Sequence, residues 1–156
     1  MDMKKRIALI TGATRGIGKE ISLALAKEDI HVILLGRTIG ALEEISDKIH
    51  LNGGKATCVQ FDLSDLNKIY DLSQEIKERW GKLDISISNA AYLHNLTPLS
   101  HLSDKDWQIS INVNLSANWL LIKHFEKLLL KSENGKAIFI TSGASGLLYT
   151  SDAADD

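Results

Sequence analysis

The chain alternates short apolar segments with longer segments in which apolar residues recur every three or four positions. Short apolar runs bounded by turn residues are typical of buried strands, and a period of 3.6 residues is typical of amphipathic helices. The short runs predict strands over residues 7–11, 31–35, 56–61, 83–88 and 136–141. The periodic segments predict helices over residues 16–28, 39–51, 65–79 and 104–131.

This regular alternation predicts an α/β domain with a doubly wound parallel sheet. Strands joined through helical crossovers run parallel, and right-handed crossovers cover both faces of the sheet with helices. In such sheets, ligands bind beyond the carboxyl ends of the strands, at the point where the strand order reverses. We therefore expect the functional residues directly after the predicted strands.

The first predicted strand runs into a glycine-rich turn, residues 11–18, which also opens the first predicted helix. Its glycines at 12, 16 and 18 permit a sharp turn and leave room for a phosphate to approach the backbone. The N–H groups and the positive dipole end of the following helix favour an anion there. The G-x-x-x-G-x-G spacing differs from that of nucleoside-triphosphate loops and leaves two alternatives, a dinucleotide-phosphate site or a turn without a ligand.

The ends of the other predicted strands are also rich in small and polar residues. They carry Gly36-Arg37-Thr38, Asp62-Leu63, Asn89-Ala90-Ala91 and Thr141-Ser142-Gly143, and the long helix carries Asn112-Val113-Asn114-Leu115. In this order and at these intervals, the segments resemble the short-chain dehydrogenase/reductase family, in the compact single-domain branch that includes 3-oxoacyl-carrier-protein reductases. The resemblance runs from about residue 4 to residue 146. It implies a Rossmann-like fold and an oxidoreductase that moves a hydride between a nicotinamide cofactor and a carbonyl or alcohol.

The resemblance assigns the cofactor to the first four strand ends. The residues that it implies are Gly12, Thr14, Arg15, Gly16, Ile17, Gly18, Arg37, Asp62, Leu63, Asn89, Ala90 and Ala91. Asp62 has two interpretations of equal weight, an acceptor for the adenine amine or a cap for the helix that begins near Ser64. Ala91 stands where the family has glycine, which is a mild departure in the geometry of that loop.

The charges near the second strand end favour NADP over NAD. A ribose without a 2′-phosphate is held by an acidic residue at this position, whereas a 2′-phosphate requires cations. The chain has Gly36 and Arg37 there, no acidic residue before Glu43, and Arg15 in the glycine-rich turn. Two guanidinium groups can form bidentate hydrogen bonds with one phosphate. We therefore expect NADP, with a solvated loop charge as the alternative for either arginine.

The resemblance also implies a catalytic set, of which the chain holds only a part. In the family a Tyr exchanges a proton with the substrate, a Lys four residues later lowers the pKa of that Tyr, a Ser orients the substrate oxygen, and an Asn completes the proton relay. Ser142 and Asn114 match the Ser and the Asn, but Asp155 stands near the position of the Tyr. Tyr149 is too close to Ser142, and no Lys follows Lys136. We expect this chain not to catalyse hydride transfer, because the general acid and its partner are missing.

Two hypotheses explain the missing pair: a non-catalytic NADP-binding module used for sensing or scaffolding, or an enzyme gene read only in part. Residues 147–156 resemble the conceptual translation of a transposon-type sequencing-library adapter, and the family resemblance stops where they start. We therefore expect residues 1–146 to be a partial dinucleotide-binding domain and residues 147–156 to be a non-native tail. A sheet that is incomplete in its C-terminal half leaves the strand over residues 136–141 as an unprotected edge, so we expect the chain to aggregate readily.

Composition narrows the functional classes further. The chain has 156 residues, 44% of them hydrophobic, and a net charge of -2 with scattered cations. These values fit one globular domain and argue against a nucleic-acid or membrane partner. The single cysteine, Cys58, excludes an internal disulfide, and the five histidines have no spacing suited to a metal. We expect a cytoplasmic location, no metal, a small-molecule substrate, and a homo-dimeric or homo-tetrameric parent protein.

The residues discussed so far do not identify the substrate. Tyr92, Leu93 and His94 follow the fourth predicted strand end. They either line part of the substrate pocket or are simply exposed, as loop residues of this kind often are.

Overall fold

The structure is a computed structural model that describes residues 5–95 and 97–142. Its strands are β1 (Ile7–Thr11), β2 (His31–Gly36), β3 (Ala56–Gln60), β4 (Ile85–Ser88) and β5 (Lys136–Phe139). Its α-helices are α1 (Gly16–Lys27), α2 (Ile39–Leu51), α3 (Ile69–Trp80), α4 (Asp104–Ile111) and α5 (Ala117–Leu129). The tail predicted over residues 147–156 lies outside the described residues, so its non-native origin stays a prediction.

All pairings between these strands are parallel, in the order β3-β2-β1-β4-β5. The chain adds strands on one side of β1 and then on the other. This reversal of direction opens a crevice at the carboxyl ends of β1 and β4. The predicted doubly wound, Rossmann-like parallel sheet is confirmed for the described part of the chain.

β1 is buried on both faces of the sheet because it is a continuous run of apolar side chains that ends in a threonine. Alternate residues of β1 enter two separate clusters. Leu9 packs with apolar residues of α3 and α5, and Ile10 packs with apolar residues of α1 and α2. The strand end that carries the glycine-rich turn is therefore fixed from both sides.

The single helix predicted over residues 104–131 is wrong in its middle, where the structure has a π turn, Asn112–Ser116, between α4 and α5. The N–H of Ala117 donates to the carbonyl of Asn112, one residue farther back than in an α-helix. The π turn coincides with a tertiary contact. The side-chain amide of Asn114 binds the backbone of Tyr92 through two hydrogen bonds of 2.8 Å. Apolar periodicity does not reveal the π turn, since one extra residue shifts the period by only part of a turn.

β4 begins two residues later than predicted, because Asp84 joins three segments at the amino edge of the sheet. Its side chain is only 7% exposed. The carboxylate accepts hydrogen bonds from the N–H of Ile7, the hydroxyl of Ser132 and the ammonium of Lys82, at 2.7, 2.5 and 3.1 Å. Burial by itself raises the pKa of Asp84, but the three donors outweigh burial and hold the pKa below its ordinary value. The ionised carboxylate therefore ties β1, β4 and the turn before β5 together.

β5 is the last strand on one edge of the described sheet, and all its residues are exposed. Ile138, Phe139 and the next residue, Ile140, expose 42%, 44% and 38% of their surfaces. An exposed apolar edge strand offers unpaired backbone groups and apolar area to a second chain. These exposures agree with the expectation that the chain aggregates.

A charge on this edge is expected to reduce self-association. Ile138→Lys should lower the apparent mass in analytical ultracentrifugation at high micromolar concentration, because edge lysines oppose strand pairing. The control Leu51→Lys replaces another exposed apolar residue, at the end of α2, and should leave the mass unchanged. A parent chain that stays monomeric and melts cooperatively would contradict the expectation.

Candidate functional site

A cleft of about 480 Å³ lies at the carboxyl ends of β1, β2, β3 and β4, which is a volume typical of ligand sites. Every predicted cofactor-binding residue except Gly18 lines it; these are Gly12, Thr14, Arg15, Gly16, Ile17, Arg37, Asp62, Leu63, Asn89, Ala90 and Ala91. Tyr92, Ile109 and Val113 are also part of the wall. Folding thus brings four separate strand ends and one helix to a single cleft.

The three glycines of the turn meet different requirements. Gly12 has a φ of +66°, and a Cβ there would lie 3.0 Å from the Cα of Ala90. A Cβ on Gly18 would lie 2.3 Å from the carbonyl oxygen of Gly12, which is closer than real Cβ contacts. Gly16 has a φ of +53° and open space where a Cβ would be. Gly12 and Gly18 are therefore needed for packing within the turn, whereas Gly16 leaves backbone open to the cleft.

The glycine-rich turn is fixed to β4 by the side chains of Thr11 and Asn89. The hydroxyl of Thr11 accepts hydrogen bonds from the N–H groups of Asn89 and Ala90, at 2.9 and 3.0 Å. The Asn89 Nδ2 donates to the carbonyl oxygens of Thr11 and Gly12, at 3.0 and 3.2 Å. The sequence analysis included Thr11 in the glycine-rich turn but predicted no role for its side chain, although a polar residue at the end of a buried apolar strand was an available signal. These bonds hold the turn in one conformation before any ligand binds.

The first turn of α1 is suited to an anion. Its N-cap, Arg15, makes no side-chain cap, and Arg15, Gly16 and Ile17 line the cleft. The first N–H groups of a helix have no partners within the helix, and together they carry the positive end of the helix dipole. The start of α1 can therefore hold a phosphate against backbone groups.

The end of the cleft near β2 and β3 is positively charged. Arg37 follows β2 there, Arg15 lines the cleft from the N-cap of α1, and within residues 5–95 and 97–142 neither guanidinium is part of an ion pair. Asp62 Oδ1 accepts the N–H of Ser64 at 2.9 Å, which closes a local turn. The predicted capping role is wrong, because no helix begins near Ser64: a 3₁₀ turn over Leu66–Lys68 follows Asp65, and α3 begins at Ile69. Burial alone raises the pKa of Asp62, but the bonds from Ser64 and the charge of Arg37 outweigh it and lower the pKa. Asp62 is therefore ionised at neutral pH and faces the cleft beside an arginine.

The residues predicted to be catalytic lie apart from the lining of this cleft. Asn114 is in the π turn, where its side chain binds the backbone of Tyr92, and its own carbonyl accepts a hydrogen bond from Asn118 at 2.8 Å. Ser142 is exposed, just beyond β5. Asn114 therefore contacts Tyr92, which lines the cleft, and is not part of the lining itself.

The residues after β4 include both a cleft-lining residue and an exposed one, the two alternatives predicted for them. Tyr92 lines the cleft, whereas Leu93 is 84% exposed. His94 lies with its Nε2 3.3 Å from a carboxylate oxygen of Asp106, in the first turn of α4. The sequence predicts a helix N-terminal cap from Ser103 and Asp106, which the structure confirms, but it gives no sign of the contact between Asp106 and His94.

Other candidate sites are weaker. A groove of about 990 Å³ lies at the amino edge of the sheet, but its buried carboxylate, Asp84, is already bound by protein donors. In the described part of the chain, no group of three or more His, Cys, Asp or Glu is placed to hold a metal ion. Over the same residues, none of the helices combines the length and the apolar character that a membrane crossing requires. We therefore assign ligand binding to the cleft above the glycine-rich turn.

Comparison with known sequences finds one family over most of the chain. The profile of the family described as short chain dehydrogenase matches residues 6–153. The expectation that the family resemblance ends near residue 146 is therefore wrong, because the match extends past Gly146. The chain is 34% identical over 140 residues to the 3-oxoacyl-[acyl-carrier-protein] reductase of Synechocystis sp., covering 89% of this chain and 56% of that protein. It is 32% identical over 148 residues to the sepiapterin reductase of Chlorobaculum tepidum, covering 90% and 60%. The chain spans a little more than half the length of these curated relatives.

Solved structures agree with the sequence comparison. A metagenomic short-chain oxidoreductase in complex with NADP superposes with a TM-score of 0.84 at 30% identity, covering 88% of this chain and 62% of that one. An alcohol dehydrogenase from the archaeon Thermococcus sibiricus, complexed with 5-hydroxy-NADP, superposes with a TM-score of 0.83 at 31% identity, covering 91% and 60%. With the parallel sheet and the glycine-rich turn in place, the chain belongs to the short chain dehydrogenase family.

Proposed function

We propose that this chain binds NADP(H) in the cleft and is the cofactor-binding part of an oxidoreductase that acts on a carbonyl or alcohol. The observation that carries the cofactor assignment is the pair of cleft-lining arginines, Arg15 and Arg37, at a strand end without an acidic residue. A 2′-phosphate requires such cations, whereas an NAD ribose is held by a carboxylate at this position. The NADP and 5-hydroxy-NADP complexes of the two similar structures support the same choice.

Different residues of the cleft bind different parts of the cofactor. The start of α1 with Gly16 receives the pyrophosphate, Arg15 and Arg37 receive the 2′-phosphate, and Asp62 accepts a hydrogen bond from the adenine amine. The open space at Gly16 and the missing side-chain cap at Arg15 fit a phosphate at this point. When bound, the cofactor supplies the hydride for reduction or accepts it in oxidation.

We propose that the chain as it stands binds the cofactor without turning over substrate. Ser142 orients the substrate oxygen and Asn114 positions the cleft wall, but the proton donor and its lysine partner are missing near Asp155. The proposal treats residues 1–146 as a partial domain and residues 147–156 as a non-native tail. We also propose that the parent protein is cytoplasmic and forms a homo-dimer or homo-tetramer.

A non-catalytic NADP sensor or scaffold is the second candidate, because the predicted cofactor-binding residues that form the cleft all lie within residues 12–91, without a catalytic set. Genomic sequence beyond Gly146 distinguishes the two. A Tyr-x-x-x-Lys about a dozen residues after Ser142 supports the enzyme. A stop codon or a different sequence there supports the sensor.

Arg37→Asp tests the cofactor assignment by fluorescence titration of NADPH and NADH. We expect the Kd for NADPH to rise about 30-fold, which corresponds to about 2 kcal/mol, because a charge-assisted phosphate contact is lost. The Kd for NADH should not rise, since NADH lacks the 2′-phosphate and a carboxylate at this position can accept hydrogen bonds from its ribose hydroxyls. The control Arg79→Asp makes the same charge change at the end of α3 and should leave both values unaltered. An unchanged preference in Arg37→Asp would refute the assignment.

A further inference from the structure

Tyr92 is held at both its backbone and its hydroxyl. Its N–H donates to Oδ1 of Asn114 and its carbonyl accepts from Nδ2 of Asn114, each at 2.8 Å. Its hydroxyl donates to Oδ1 of Asp106, also at 2.8 Å. The ring packs against the core cluster that contains Val113, and it lines the cleft. Few rotations are left to this side chain, because contacts at both ends define its position.

Asp106 connects α4 to the segment between β4 and α4 through contacts of its carboxylate. Its carboxylate accepts the hydroxyls of Tyr92 and Ser103 and lies 3.3 Å from His94 Nε2. Its own N–H donates to the Ser103 hydroxyl at 3.1 Å, so the pair caps the start of α4 reciprocally. Three side chains of the preceding segment are thus fixed to one carboxylate, although Asp106 itself does not line the cleft.

We propose that Asp106 is a positioning residue for the bound dinucleotide, acting through Tyr92, whose ring it holds as a fixed wall of the cleft. This inference rests on the proposed function. A wall that is already in place lowers the ordering cost of binding, which is the general advantage of preorganisation. Asn114 fixes the backbone end of the same residue, and Asp106 fixes the phenol end.

The phenol of Tyr92 is not suited to replace the missing proton donor. The hydrogen bond to Asp106 raises the pKa of Tyr92, and burial acts in the same direction. A catalytic phenol requires a lowered pKa, so that it can exchange a proton near neutral pH. The geometry therefore favours a positioning role, in which the hydroxyl stays bonded to the carboxylate.

The test is a double-mutant cycle on the 156-residue chain, with the Kd for NADPH measured at low micromolar protein concentration. Tyr92→Phe and Asp106→Ala should each raise the Kd about fivefold, and the double variant should also raise it about fivefold, because both remove the same bond. Asp106→Asn keeps a carbonyl oxygen that accepts the Tyr92 hydroxyl, and it should stay within about twofold of the parent. The matched controls are Tyr70→Phe, on α3, and Asp104→Ala, in the first turn of α4, and both should bind as the parent does.

Several outcomes overturn the inference. The inference is wrong if both single variants keep the Kd of the parent. It is also wrong if the effects of the two changes multiply in the double variant, or if Asp106→Asn binds NADPH as weakly as Asp106→Ala does. If circular dichroism shows that Asp106→Ala is unfolded, Tyr92→Phe against Tyr70→Phe still decides, since Phe keeps the ring and loses only the hydroxyl. A parent chain that binds no NADPH overturns the proposed function and this inference with it, whereas a parent that binds with unaffected variants overturns the inference alone.

Discussion

Replacing Gly18 by alanine is expected to raise the Kd for NADPH at least about 100-fold, which is about 3 kcal/mol. The added Cβ would lie 2.3 Å from the Gly12 carbonyl oxygen and 2.4 Å from Asn89 Nδ2. The glycine-rich turn and the start of α1 must then move apart, which displaces both the open backbone at Gly16 and the first N–H groups of the helix. Isothermal titration with NADPH measures the effect.

A matched control is available in α2. Gly40 also lies in a first helical turn, but nothing lies within 4 Å of the place where its Cβ would be. Gly40→Ala should leave NADPH binding unchanged and should stabilise the chain by about 0.5 to 1 kcal/mol, because alanine has less freedom than glycine in the unfolded chain. If Gly18→Ala binds NADPH as well as Gly40→Ala does, the packing argument is wrong.

Asp84→Ala is expected to lower the free energy of unfolding by about 3 kcal/mol at neutral pH, which corresponds to a fall of about 10 °C in Tm. The change leaves the Ile7 N–H and the Ser132 hydroxyl without their acceptor. It also removes the side-chain hydrogen bond that links β1 to the residue before β4. Urea unfolding followed by circular dichroism at low protein concentration measures it. The control Asp47→Ala removes an exposed carboxylate from α2 and should change stability by less than about 0.5 kcal/mol.

The lowered pKa of Asp84 also determines the sign of a pH effect. The unfolded chain takes up a proton on this carboxyl at the ordinary pKa of about 3.9, whereas the folded chain takes it up only at lower pH. The contribution of Asp84 is therefore complete above the ordinary pKa and is lost as the pH falls through the folded value. Between about pH 5 and pH 3 the parent should lose stability more steeply than Asp84→Ala. If the free energy of unfolding falls equally steeply with pH in both proteins, Asp84 is not ionised and hydrogen-bonded as described.

Most of the fold was predictable because it depends on local patterns. Continuous apolar strands and helices with an apolar face have few ways to bury those surfaces, and alternation of the two leads to a doubly wound parallel sheet. The strand ends then identify the crevice, which is why all the predicted cofactor-binding residues except Gly18 line one cleft. The π turn was not predictable in this way, because it coincides with a contact between residues 22 apart, Asn114 and Tyr92, that local periodicity does not report.

Some residues of the cleft were recognisable from the sequence and others were not. Arg15 and Arg37 were recognisable from their positions beside a strand end, since charge at that point has a direct meaning for the cofactor. Ile109 and Val113 were not recognisable, because apolar residues with helical spacing have the pattern of core residues whether or not they also line a cleft.

The sequence by itself determined the parallel α/β architecture, the glycine-rich turn and the cationic strand end, because each depends on residue type and spacing along the chain. Only the tertiary structure decided which polar groups meet: Thr11 with Asn89, 78 residues apart, and Asp84 with Ile7, 77 residues apart. Hydrogen bonds have strict limits of distance and angle, so they depend on where folding places two remote segments. A linear pattern cannot specify that placement.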